Sequence, residues 1–192
     1  MFKFIAENYN VIPFRSFQFF MTMALFYLIY EVKCHGAAIF YDRTIELKTE
    51  TDKNLVSWGI TFSILYIMQF ADNPMNHAII DLDVDYLFRR KLFYLMKMGF
   101  GLMFFISLYA LHALRGCSFS RVTRSIFYLY TVLITIHFLQ FILRGYIETD
   151  VLSPLYRLNA MLSYFLVTIT MLSHPVSQLY CRHKEKVRDD SK

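Results

Sequence analysis

Between Lys53 and Asp72, Lys97 and Arg115, Arg124 and Arg144, and Arg157 and Arg182, the chain runs 17 to 24 residues at a time without an Asp, Glu, Lys or Arg. At 1.5 Å per helical residue, such runs match or nearly match the roughly 30 Å of hydrocarbon in a bilayer. A shorter uncharged run lies between Arg15 and Glu31. Hydrocarbon offers no water to the backbone, so every N–H and C=O must be satisfied internally, and helices do this within one segment. The expected fold is therefore all-α: a polytopic transmembrane bundle of four or five helices forming a single domain over residues 1–192. Its spans are expected at about 16–32, 55–71, 93–114, 125–143 and 157–178, followed by a short basic C-terminal tail at 182–192. The second span is the weakest on composition, because Ser57, Gly59, Thr61, Ser63 and Gln69 interrupt it. A re-entrant or interfacial helix there would leave four spans.

The hydrophobic share of 56 % includes an unusual 18 % of aromatics, and the apolar residues cluster rather than recur periodically. The net charge of +5 comes from span ends and from the C-terminal segment, where Arg182, Lys184, Lys186, Arg188 and Lys192 outnumber Glu185, Asp189 and Asp190. Short connections cannot present the broad basic surface that a nucleic-acid binder needs, so direct nucleic-acid binding is not expected. The charge reads instead as topology. The 115–124 connection holds three arginines and no acid, which places it and the tail in the cytoplasm. Arg89, Arg90 and Lys91 pull the 72–92 connection the same way and oppose a five-span layout. The three cysteines, Cys34, Cys117 and Cys181, end different apolar runs and form no C-x-x-C pair, which argues against a disulfide framework or a zinc site. Lys3, Arg15 and Gly36-Ala37-Ala38 loosely suit a signal peptide. Glu31 and Lys33 intervene, so a retained span is expected.

Local signals fill in the connections. Pro13 and Pro154 precede the first and last spans, where a missing N–H is harmless, and Pro175 should kink or close the last. Residues 43–50 suit a short strand or a surface helix. Ile80, Leu82 and Val84 alternate with Asp81, Asp83 and Asp85, which would put three carboxylates on one face of an extended segment. As a calcium loop this fails at Tyr86 and Leu92, where glycine and glutamate are needed. A solvated strand face or a partner for Arg89 and Arg90 is the expectation.

Two polar stripes stand inside the spans. His137, Gln140 and Arg144 share a helix face, as do Asn159, Ser163, Thr170 and His174. Each is expected to be an interhelical hydrogen-bond seam, the second within the chain or across a homo-oligomer. Lys97 should snorkel to the interface, and Gly99 with Gly101 suggests a flexible turn. His112 and His137 lack a second ligand at i+3 or i+4, so neither haem nor metal is expected, nor any other cofactor. No G-x-S-x-G, H-E-x-x-H, phosphate-cradling glycine loop or Cys/His dyad is present, and catalysis is not expected. The aromatics suit the headgroup belts and the lipid or helix faces.

In length, helix count and lack of catalytic motif the chain resembles the KwaA-type membrane subunits of the Kiwa anti-phage defence system. It also resembles colicin-type immunity proteins in layout. The Kiwa resemblance implies a bacterial inner-membrane oligomer that senses infection and recruits or restrains a soluble partner acting on phage DNA. The expected function is thus a non-catalytic anchor, scaffold or sensor set in the lipid bilayer. A soluble cytoplasmic partner would dock at Arg115, Arg121, Arg124, Arg182, Lys184, Lys186 and Arg188. A small channel or pore-forming oligomer is the alternative.

Overall fold

The computed structural model describes residues 11–190, so the last two residues of the expected tail lie outside it. The fold of the described residues is all-helical, with no strand. In chain order the helices are α1 (Val11–His35), α2 (Ala38–Tyr41), α3 (Glu50–Ile80), α4 (Tyr86–Arg115), α5 (Arg121–Gly145) and α6 (Ser153–Asp190).

The helices α3, α4 and α5 begin where a side chain satisfies their orphan backbone groups. The Thr49 hydroxyl accepts from the Asp52 amide at 3.0 Å, and the Asp52 carboxylate accepts from the Thr49 amide at 3.1 Å, a capping box that opens α3. Asp85 accepts from the amides of Leu87 and Phe88 and opens α4. The aspartate triplet is therefore a helix-to-helix turn and not an extended strand, with Asp81 closing α3 and Asp85 capping α4. Arg89 donates to the Val84 carbonyl and Arg90 lies over the Tyr86 ring, so both have partners other than the triplet's carboxylates. At the end of α4, Gly116 adopts φ 71°, and the Gly116 and Cys117 amides return to the carbonyls of Ala113 and His112. Glycine suits that left-handed closure because a Cβ would be strained there.

Four helices, α3 to α6, are long and apolar enough to cross a membrane. They alternate in direction. Ser57 meets His112 and Asp72 meets Lys97 across α3 and α4; Phe105 meets Phe127 across α4 and α5; His137 meets Tyr156 across α5 and α6. α1 has 25 residues. It lies parallel to α6, with Phe17 on Tyr164, Tyr27 on His174 and Glu31 on Arg182.

The run around 55–71, weakest by composition, is the centre of the bundle. Its most apolar window is 61 % buried, against 22, 17 and 17 % for α4, α5 and α6. Ser57, Thr61 and Gln69 are tolerable there because they face other helices rather than lipid. Trp58 and Phe62 stack on each other at 5.3 Å and fill the middle together with Phe104, Leu108 and Met171. Outside, the pattern inverts: Phe19, Phe26, Ile67, Met103, Ile106, Tyr109, Tyr128, Phe165 and Ile169 are all exposed.

Close packing also explains Gly101. It is buried within α4, and a Cβ there would collide with the Ile134 side chain of α5, so it marks a close approach of two helices and not a flexible turn. α6 runs 38 residues, about 57 Å, straight through Pro175 to Asp190. Pro175 does not close it, and residues 182–190 are a helical extension of the last span. By the alternation of the helices, Cys34, Cys117 and Cys181, all free thiols, come to one end of the bundle, here the tail end.

Candidate functional site

Three polar regions sit on this scaffold. The first is a buried knot at the tail end joining α3, α4 and α5. Ser57 Oγ lies 2.9 Å from His112 Nε2 and 2.8 Å from Thr123 Oγ1, and it accepts from the Ser120 amide at 2.8 Å. Thr61 donates to the Ser57 carbonyl at 2.8 Å and touches Thr123 at the same distance. The proton positions follow from chemistry. A carbonyl only accepts, so His112 Nδ1, 2.8 Å from the Leu108 carbonyl, carries the hydrogen, and Nε2 receives the Ser57 hydroxyl proton. This is a serine–histidine pair in a closed place: Ser57 is 0 % and His112 2 % exposed. It joins helices and is closed to solvent.

The second region is a cavity of about 180 Å³ in the other half of the bundle, walled by α1, α3, α4, α5 and α6. Lys97 Nζ and Asp72 Oδ1 pair at 2.5 Å beside it. Lys97 therefore does not simply snorkel; it is held across to α3 with its side chain 15 % exposed. His137, Asn159 and Ser163 line the same space, one from the first expected seam and two from the second. Gln69 and His137 are 7 % and 6 % exposed, and Gln69 Oε1 and His137 Nδ1 have no hydrogen-bond partner among the described residues.

The remaining seam residues disperse. Gln140 is fully buried with neither side-chain atom partnered. Arg144 reaches Asp150 at 2.6 Å and the Tyr94 hydroxyl at 3.1 Å, pinning the α5–α6 connection. Thr170 is half-buried, and its carbonyl accepts from Ser173. His174 stacks on Trp58 at 5.3 Å, with Tyr27 edge-on at 6.4 Å. Asn159, Ser163 and His174 thus face the chain's own helices, so this stripe does not call for a second copy.

The third region is the tail end itself. Of the seven basic residues expected to dock a partner, two are engaged inside the fold. Arg115 is 4 % exposed and donates to the carbonyls of Ile39 and Ile45, tying the α2–α3 connection to the end of α4. Arg182 sits 2.8 Å from the fully buried carboxylate of Glu31. Arg121, Arg124, Lys184, Lys186 and Arg188 are exposed. They share one end because α5 starts there and α6 finishes there.

A helical bundle with an apolar exterior, four helices of membrane-crossing length and hydroxyl, histidine and ion-pair contacts inside belongs to the class of integral membrane proteins. No protein-family model, no curated protein and no solved structure matches the chain. Sequence reasoning missed Ser57, Thr61, Gln69, Asp72 and Thr123 as a set. The only signal was that polar residues cluster in the second uncharged run, which is itself a mark of a central helix.

Proposed function

We propose that the protein is a non-catalytic membrane subunit that holds a soluble, acidic partner at the membrane surface through its tail end. The observation that carries this reading is the last helix. It leaves the bundle without a break and presents Lys184, Lys186 and Arg188 on a regular scaffold at the end where Arg121 and Arg124 stand. Leu179, Tyr180 and Val187 are exposed along the same extension, so it offers apolar anchors beside its charges. The closure of the Ser57–His112 pair supports a structural use for it, and the Trp58–Phe62 packing fills the centre where a single-chain pore would run. The cytoplasm is the side on which the basic end belongs under the positive-inside rule. The layout shared with Kiwa membrane subunits supplies a biological setting, defence against phage, for the same docking role.

The test is capture of the product of the neighbouring reading frame by the detergent-solubilised protein, with a photo-crosslinking residue at Val187. Capture should be lost in a Lys184→Glu, Lys186→Glu, Arg188→Glu variant. It should weaken as salt shortens the screening length from about 10 Å at 0.1 M to about 3 Å at 1 M. Crosslinks to lipid alone, or capture indifferent to both charge reversal and salt, would show that the extension is not a docking helix. Phage plating on cells carrying the wild type or the triple variant checks the defence setting.

A further inference from the structure

The cavity is not used by the docking reading, and its chemistry is distinctive. It is mostly apolar and aromatic, with Phe14, Phe17, Phe100, Tyr130, Tyr156 and Tyr164 around it. Its polar groups come from four different helices: Gln69 and Asp72 on α3, Lys97 on α4, His137 on α5, Asn159 and Ser163 on α6. Two of these side chains are more than nine-tenths buried and carry an unpartnered atom, Gln69 Oε1 and His137 Nδ1. Leaving such atoms unsatisfied costs about 1–3 kcal/mol each, a cost that a bound group sharing a hydrogen bond would remove. Lys97 and Asp72 neutralise each other at 2.5 Å, so the space has no net charge to offer an ion.

Size narrows the occupant. At about 180 Å³ the cavity is slightly larger than the roughly 150 Å³ engineered cavity that holds one benzene. We propose that it is a binding site for a neutral, single-ring aromatic molecule with a hydrogen-bonding substituent, of phenol size and type. The ring packs among the aromatic walls. The substituent lies at the polar part of the wall, where its one donor meets Gln69 Oε1. A phenol has the donor that Gln69 Oε1 lacks and the lone pairs that Asn159 and Ser163 can bond, whereas benzene satisfies neither. A neutral ring of this kind partitions into bilayers and so reaches a site within the spans without crossing the basic end.

The experiment is fluorine NMR of 4-fluorophenol titrated into the full-length protein in detergent micelles, with fluorobenzene as the apolar control and empty micelles as the partition control. Saturable phenol binding, at least about tenfold tighter than fluorobenzene, is expected, a difference equivalent to roughly 1.4 kcal/mol. Ala160→Leu should abolish it by filling the space. Gln69→Leu, which keeps the side chain's bulk, should bring phenol and fluorobenzene together. Thermal unfolding of both variants identifies any that fail to fold, and Ser163→Leu serves as a second filling variant if Ala160→Leu is one of them. The absence of saturable binding, which would mean that the cavity holds water only, overturns the proposal. So does equal binding of the two probes by the wild type, or phenol binding that survives both filling variants. Partner capture is measured separately, so either proposal can fail without the other.

Discussion

His112 owes its role to residues far from it in sequence: Ser57 lies 55 positions away, and Thr123 joins the same knot from α5. Thr123 touches Ser57, Thr61 and Ser120 through one hydroxyl. Thr123→Val keeps its shape and removes that hydroxyl. Single hydrogen bonds inside membrane bundles contribute about 0.6 kcal/mol on average and up to about 1.7, so a loss of roughly 1–2 kcal/mol is expected for a residue with several. Thermal unfolding in detergent measures it, and an unchanged midpoint would mean that the knot is not a stabilising contact. Nothing in the spacing around His112 discloses these partners, because a helix face shows which residues share a side but not what packs opposite. The same limit hid Arg115. Read as a surface arginine, it is a buried clamp on the Ile39 and Ile45 carbonyls.

Among the elements, α1 and the end of α6 are joined by a carboxylate with no exposure, Glu31, and a partly exposed guanidinium, Arg182. Removing one member of a buried pair strands the other charge, at about 3–5 kcal/mol for full burial, and the partial exposure of Arg182 puts the expectation at the low end. Arg182→Leu should therefore destabilise by roughly 3 kcal/mol, and the double exchange Glu31→Arg with Arg182→Glu should recover part of that loss. Denaturation of the three variants decides it. Lys184→Pro is the contrasting case. It should shorten the helical extension, seen as reduced ellipticity, and lower the unfolding midpoint less than Arg182→Leu does, because it loosens the turn that carries Arg182 without removing the guanidinium. The uncharged runs made α4, α5 and most of α6 legible, since hydropathy alone sets those segments. They ranked α3 too low, because a central helix tolerates polar residues that a peripheral one would expose to lipid. The extension to Asp190 was illegible as helix because its hydropathy ends near residue 178 while its backbone does not.

For the whole molecule, the three thiols form a built-in test of sidedness. Cys34 and Cys181 are exposed and Cys117 partly so, all at the tail end. A membrane-impermeant maleimide added to intact cells should label none of them. A permeant one should label Cys34 and Cys181 first. Labelling from outside would reverse the orientation and remove the tail end from any cytoplasmic partner. The burial of α3 has a consequence in time as well as in space. Chains are made from the N-terminus, so α3 emerges before any of the helices that cover its hydroxyls and its Asp72 has been synthesised. Until α4 delivers His112 and Lys97 and α5 delivers Thr123, those groups stand unmatched in or beside lipid. A chain stopped after residue 82 should accordingly be inserted poorly or degraded, whereas one stopped after residue 145 should persist. For this protein, the helix that organises the finished bundle depends during biogenesis on residues not yet translated.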